Sequence, residues 1–404
     1  MSSLEQVLAV LRPALDVLNG RVSRATPPAW CERRGWTQFL LGLSESELER
    51  AEEHGLGALP ELAPRMPAGL AAWLAEVARA TRVPRLRPDV SRAAPWRGVR
   101  ERKRAQLAAM LHAVAPMAGA ASRIVDFGSG SGHFSRLASR AFATDVLGLE
   151  RSAARIARAT QQAALEHAER AEFLRIDLGK QSFALGESDL AFGLHACGEL
   201  GDRLVSTVSA ARCDLVLVSC CAQKISTPTR RALSRAMAPL ELEREVLGLS
   251  NLSSRVQGVE TSLRATLRAR EVRHALGVLL KSRSASVAPG EEMRGVNRRQ
   301  AHGDFATVAR RVFAVRQLSE PSASELSRAE QIGRDEFASV RRLSLPRNAL
   351  ARLLELAIVL DRAQALAEAG LSLAVAEVFA ADVTPRNLCI FASRYPERLP
   401  LLAD

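Results

Sequence analysis

Tyrosine occurs once in these 404 residues, only four of the 56 basic residues are lysine, and aromatic residues make up 4% of the chain. Scarce aromatics argue against a groove that grips single-stranded nucleic acid by stacking bases on side chains. No run of about 18 uncharged apolar residues appears, so no membrane-spanning segment and no membrane partner are expected. The stretch MSSLEQVLAVLRPALDVL carries Glu5, Arg12 and Asp16 instead of a basic end followed by an apolar block, and export is not expected. Cysteine is sparse too. Cys31, Cys197, Cys213, Cys220, Cys221 and Cys389 are irregularly spaced and include an adjacent pair, unlike the disulfide framework of a secreted protein. A reducing, cytoplasmic setting is the expectation.

What is present is apolar residues, 47% of the chain, enough for a large core and two or three domains. The formal net charge is +12, which invites a polyanionic partner such as RNA. Basic residues cluster from Arg82 to Arg104 among Pro84, Pro88, Pro95 and Trp96, where a phosphate-facing patch and a solvated linker are both open readings.

Four parts are expected. Residues 1–98 read as a helical N-terminal domain ending in the basic connector. In SESELERAEEHG, Ser44 followed by Glu47 makes a capping box and Gly55 can end the helix. In 99–240, RIVDFG, DVLGLE, AEFLRID, LAFGLH and DLVLVSC alternate with helical segments, which implies a parallel sheet covered on both faces. Residues 241–345 read as an arginine-rich helical insertion over the substrate site. Arg264, Arg268, Arg270, Arg273, Arg298 and Arg299 are candidates there for phosphate contact. In 346–404, Pro346 is expected in the first turn of a helix closed by Gly370. LAVAEVF and NLCIFAS follow, joined too closely for anything but an antiparallel pair. The fold class is thus α/β: a Rossmann-like sheet of seven strands, five parallel plus a terminal antiparallel hairpin.

IVDFGSGSGHFS, residues 124–135, places glycines at 128, 130 and 132, at the turn from the first strand into a helix. Glycine lets a ligand approach the backbone where a side chain would block it. A dinucleotide fingerprint would put its third glycine at 133, which is His133. The alternating form instead suits S-adenosyl-L-methionine, its carboxylate taking bonds from the loop amides and its ammonium lying near Asp126. Two later acids fit the same ligand. Glu150 ends the second strand, placed to accept both ribose hydroxyls, and Asp177 ends the third, placed to accept from the adenine amine with Ile176 and Leu178 beside the ring. The candidate cofactor residues are Asp126, Phe127, Gly128, Ser129, Gly130, Gly132, Glu150, Asp177, Leu178 and His195.

Several pieces together carry a family likeness: WTQFLLGLSESEL, VRERKRAQ, DFGSGSGHFS, GLHACGEL, CDLVLVSCC, LELAIVLDRAQAL and VFAADVTPRNLCIFASR. Across about residues 36–395 the chain resembles the methyltransferase-like protein 25 family, also described as ribosomal RNA adenine dimethylase domain-containing proteins. GLHACGEL and the Cys-Cys pair are similar to pieces of tRNA 2′-O-methyltransferases as well. The resemblance implies an S-adenosylmethionine-dependent methyltransferase. Its basic motif before the sheet typically continues with His-Glu, where this chain has Gln106 and Leu107.

The acceptor is expected above the ends of strands 4 and 5. His195 is a candidate general base, with a backbone-bonded histidine as the alternative. Cys197 is a candidate covalent nucleophile, although pyrimidine C5 enzymes usually set proline beside it and Ala196 is not one. His195, Cys197, Cys220 and Cys221 could also converge as a zinc site of His and Cys ligands. Adjacent cysteines at a strand end should point apart, so packing is favoured and no metal is expected. Lys103 and Arg104 could approach an acceptor phosphate or the cofactor carboxylate. The Asn-Pro-Pro-aromatic loop of adenine-N6 enzymes is missing after strand 4, so the dimethylase label is not carried over as an activity. The expected function is methyl transfer to RNA, tRNA or rRNA. A small-molecule or protein methyltransferase, or a silent cofactor- or RNA-binding scaffold, are the alternatives.

Overall fold

The computed structural model describes residues 3–86, 101–252, 263–284, 287, 290–380, 383, 384 and 386–403. The middle of the basic segment, residues 87–100, therefore lies outside the described residues. The chain forms two compact units: Met1–Leu11 with Arg79–Arg255 and Ala351–Asp404, and Arg12–Ala78 with Val256–Leu350.

The first unit holds the sheet. Its strands are β1 (Arg85–Leu86), β2 (Arg123–Phe127), β3 (Asp145–Glu150), β4 (Ala171–Arg175), β5 (Asp189–Ala196) and β6 (Asp214–Ser219). A short ribbon of β7 (Thr229–Arg230) and β8 (Leu242–Glu243) stands apart, and β9 (Ser372–Glu377), β10 (Leu388–Ser393) and β11 (Leu402–Ala403) complete the set. Among the described residues the large sheet runs β11-β1-β9-β10-β6-β5-β2-β3-β4. β4, β3, β2, β5 and β6 are mutually parallel, and β10 is antiparallel to both β6 and β9. The parallel core and the terminal antiparallel pair are thus as the sequence predicts. Every residue of β6 is buried, which explains the unbroken apolar run LVLV at its centre. Leu107, Met110, Val114, Phe134, Phe192, Val216 and Phe391 share one core, with the Phe134 ring stacked on Phe192 at 3.6 Å between centroids.

Two differences stand out. The sheet continues past its seventh strand: Arg85, expected in a connector, pairs with Glu377 in parallel and with Ala403 in antiparallel fashion. Two-residue strands are too short to leave a periodic signal. The helix expected to open at Pro346 instead runs from Ala323 to Glu368 with Pro346 inside it. An interior proline removes one helical hydrogen bond and crowds the preceding turn. Burial of Leu343, Leu345 and Leu350 on either side offsets that cost. Gly370, at φ +85°, ends the segment as expected.

The second unit is helical. The Ser44 hydroxyl accepts from the Glu47 amide at 3.3 Å while the Glu47 carboxylate accepts from the Ser44 amide at 2.8 Å, and Gly55 closes that helix at φ +91°. Val272, Leu276, Leu279, Phe305, Val312, Phe313 and Leu326 form its core. Most of the arginines expected to meet phosphates have internal partners: Arg270 pairs with Glu52 at 3.3 Å, Arg273 with Glu292 at 3.8 Å and Arg268 with Glu271 at 3.0 Å. Arg298 donates to the Gly290 carbonyl at 2.8 Å. Arg264 and Arg299 are exposed. Pairing within this unit offsets much of the charge that the sequence offered to RNA, because the field of an arginine beside an acid is largely cancelled at a distance.

Candidate functional site

β2 ends at Phe127 and the chain turns into the helix His133–Phe142. Gly128, Gly130 and Gly132 have φ of +78°, +61° and +67°, a region where a side chain is strained. A Cβ on Gly132 would come within 2.5 Å of the Phe173 ring, so this glycine seats the bend on β4. On Gly130 it would meet nothing nearer than 4.0 Å, which leaves that side of the loop open to a ligand. Ser129 Oγ is buried without a hydrogen-bond partner among the described residues, a group a bound polar molecule would satisfy.

The loop amides are engaged inside the protein, which corrects the expectation that they hold the ligand's carboxylate. Gly128 and Ser129 donate to the Leu149 carbonyl at 2.9 and 3.0 Å, Gly132 donates to Ser129, and Gly130 donates to Glu150 at 3.1 Å. The glycines supply close approach more than donors.

Glu150 is the last residue of β3 and only 6% exposed. Its second oxygen takes the Ser152 amide at 2.9 Å, and the Arg155 guanidinium stands 3.6 Å away. An ionised carboxylate has about four lone-pair directions, so two such bonds leave capacity for a vicinal diol. β4 stops at Arg175, and Asp177 lies two residues beyond it in the following turn, not at the strand end itself. A cavity of about 570 Å³ opens there, lined by Arg151, Ser152, Arg175, Ile176, Asp177 and Gln181. Leu178 is not among the lining residues; its carbonyl takes a bond from Arg203 at 3.4 Å. The Phe127 ring is buried edge-on against Phe183, 6.3 Å between centroids, so only its backbone can face a ligand.

Asp126 is 3% exposed and accepts from the Ser135 hydroxyl at 2.7 Å. Burial pushes its carboxyl up to about 6, with the Glu150 charge adding to that and the Ser135 bond and Lys103 charge opposing it. Lys103, on the helix Glu101–Ala118, is half-buried; burial lowers its pKa and the Asp126 charge raises it. His133 is lowered by burial and by the Arg136 and Lys103 charges. Lys103, expected near an acceptor or the cofactor carboxylate, thus acts on the bend that carries Asp126.

On the other side of β2, Leu194 faces Val218 and Ala196 faces Ser219, so His195 is the extra residue of a bulge at the end of β5. Beyond it Cys197 is disulfide-bonded to Cys220, and the sulfurs of Cys197, Cys220 and Cys221 lie within 4.8 Å of one another. The expectation that neighbouring cysteines point apart fails because β6 stops at Ser219, so strand alternation does not govern 220 and 221. In this state Cys197 offers no free thiol to a substrate. Cys213 and Cys389 are buried as packing residues, the Cys213 thiol pushed up to about 12 by its surroundings.

Sequence reasoning missed the polar pair that fixes these loops. The Arg362 guanidinium, 1% exposed, bonds Asp202 at 2.8 Å, Ser219 Oγ at 2.9 Å and the Gly198 carbonyl at 2.8 Å. A Cβ on Gly201 would sit 2.9 Å from it, so that glycine makes room for the guanidinium. Asp361 pairs with Arg230 at 2.8 Å and accepts from the Leu233 and Ser234 amides and the Ser234 hydroxyl. Acidic and basic neighbours inside the apolar LELAIVLDRAQAL were the available signal.

A family model described as a methyltransferase domain matches residues 102–228. Together with the parallel sheet and the bend at the end of β2, it makes this stretch an enzyme domain of the methyltransferase class. Among solved structures the chain is similar to YjhP from E. coli, with 21% identity over 24% of this chain and 42% of that one and a TM-score of 0.22. A TehB-like SAM-dependent methyltransferase from Corynebacterium glutamicum shares 19% identity over 27% and 60% of the two chains, TM-score 0.23. Phosphoethanolamine N-methyltransferase 2 from Haemonchus contortus shares 21% over 27% of each, TM-score 0.23. The chain thus spans less than two thirds of the length of each of these, and such partial overlays carry no argument about chemistry. No curated protein matches. Among the described residues, no helix is long and apolar enough to cross a membrane.

Proposed function

We propose that the protein transfers a methyl group from S-adenosyl-L-methionine to RNA, tRNA or rRNA, as its resemblance to the methyltransferase-like protein 25 family implies. The observation that carries the donor half is the row Lys103, Asp126, Glu150 and Asp177 around one glycine bend at the carboxyl ends of β2, β3 and β4. Asp177 and Ile176 in the cavity suit an adenine, with Asp177 accepting from its amine. Glu150 takes the ribose hydroxyls. Asp126 receives the ammonium and Lys103 the carboxylate of the amino-acid end, so each charge of the donor meets an opposite one in a poorly hydrated place. Ser129 Oγ gains the partner it lacks.

The bound donor supplies an activated methyl on a sulfonium, so the protein's work is alignment and disposal of one proton. His195, at the bulge of β5, is the residue proposed to take that proton. Cys197 can assist only once its bond to Cys220 is reduced. Support for RNA comes from the net charge of +12 and from Arg151 and Arg175, exposed beside the cavity. The test incubates the protein with radiolabelled S-adenosylmethionine and separated RNA, protein and metabolite pools at low and high salt. Label in RNA that falls as salt rises is expected. Label confined to metabolites or protein overturns the RNA assignment, and donor binding with no label anywhere leaves a scaffold.

A further inference from the structure

Three cysteine sulfurs meet where β5 and β6 run out, and nothing in methyl transfer requires three. We propose that in the reduced protein Cys197, Cys220 and Cys221 bind one soft divalent cation, zinc, with water in the fourth position. Zinc–thiolate bonds of about 2.3 Å in a tetrahedron set the sulfurs about 3.8 Å apart, and these three already lie within 4.8 Å of one another.

The frame around them is built. The Glu199 amide donates to the Lys224 carbonyl at 3.0 Å, fastening the segment after Cys197 to the segment after Cys221. Gly198, at φ +50°, is required for that approach, since a Cβ there would run into the Lys224 carbonyl. The charge balance also favours thiolates. The Arg386 guanidinium donates to Cys221 Sγ at 2.9 Å, and the Lys224 ammonium stands 3.8 Å from Cys197 Sγ. Three thiolates around a divalent cation leave one negative charge, which these two cations face. The disulfide accounts for two of the sulfurs meeting, but neither it nor packing accounts for Cys221 beside them or for the two cations aimed at the group.

The bond between Cys197 and Cys220 uses up two of the three ligands, so the site exists only after reduction. With a phosphine, phosphorus attacks one sulfur, the S–S bond breaks as the other sulfur leaves as a thiolate, and water then gives its oxygen to phosphorus, forming the phosphine oxide, and its two protons to the two sulfurs. The inference is independent of the methyl-donor reading, because the readouts below need no substrate.

The full chain is reduced anaerobically with a phosphine, freed of it, mixed with zinc or cobalt(II) and desalted. About one equivalent of zinc per chain should be retained. Cobalt should give a near-ultraviolet thiolate-to-metal charge-transfer band, about a third weaker in Cys221→Ser, which keeps the Cys197–Cys220 pair and should remain folded by circular dichroism. If the fully reduced protein, with its thiols confirmed by titration, retains no metal and shows no band, the proposal fails and the pair is a redox couple only. A band unchanged in Cys221→Ser also overturns the three-sulfur site.

Discussion

Replacing Asp126 by Asn tests how the buried bend handles charge. The carboxyl is pushed from its ordinary 3.8 up to about 6, chiefly because burial strips water from the ionised form. That displacement corresponds to about 3 kcal/mol of differential free energy between its two protonation states. The folded protein holds the proton more tightly than the unfolded chain does. Between pH 3.8 and about 6 it therefore binds more protons, and this group's contribution to stability falls as pH rises through that window and stays low above it. Asn resembles the protonated acid and still accepts from Ser135, so Asp126→Asn should be more stable than wild type at pH 8, by up to about 3 kcal/mol. About 1 kcal/mol of that difference should appear between pH 5 and pH 6. Denaturant unfolding of both proteins at pH 5, 6 and 8 measures it, and the subtraction cancels every group the two share. A difference that does not change with pH would refute the reasoning, since it would mean that the carboxyl ionises at its ordinary value inside the fold. In the same variant, donor affinity should lose its rise with pH through about 6, because an ammonium favours the ionised acid.

Glu150→Ala removes the acceptor for the Gly130 and Ser152 amides as well as the proposed ribose contact, and should weaken S-adenosylmethionine binding by about 1–3 kcal/mol in calorimetry. Unchanged affinity would remove Glu150 from the site. Arg362→Met takes from the Gly198 carbonyl its buried donor and leaves Asp202 with Arg230 alone, and should destabilise the first unit by about 1–3 kcal/mol, read as earlier unfolding of the sheet's amides in hydrogen exchange.

Much of the sheet was legible because its signals are local. Asp126, Glu150 and the glycines of the bend are set by strand-end position and by spacing, and both survive folding unchanged. Asp177 is shifted in place, since β4 ends two residues before it. The loop amides were misread because their partner, the Leu149 carbonyl, sits on a neighbouring strand that adjacency in sequence does not reveal. Arg268, Arg270 and Arg273 read as free charge for the same reason. Their acids are Glu271 nearby, but Glu52 and Glu292 only through the fold.

By itself the sequence determined the order of the longer strands, the turn that needs glycine and the acids beside it, since periodicity, backbone conformation and strand-end position are properties of short stretches. Tertiary structure alone decided which charges are spent internally, how Arg362 joins three distant segments, and that Cys197 meets Cys220 and Cys221. Those outcomes depend on distances between residues far apart in the chain, and only packing fixes such distances.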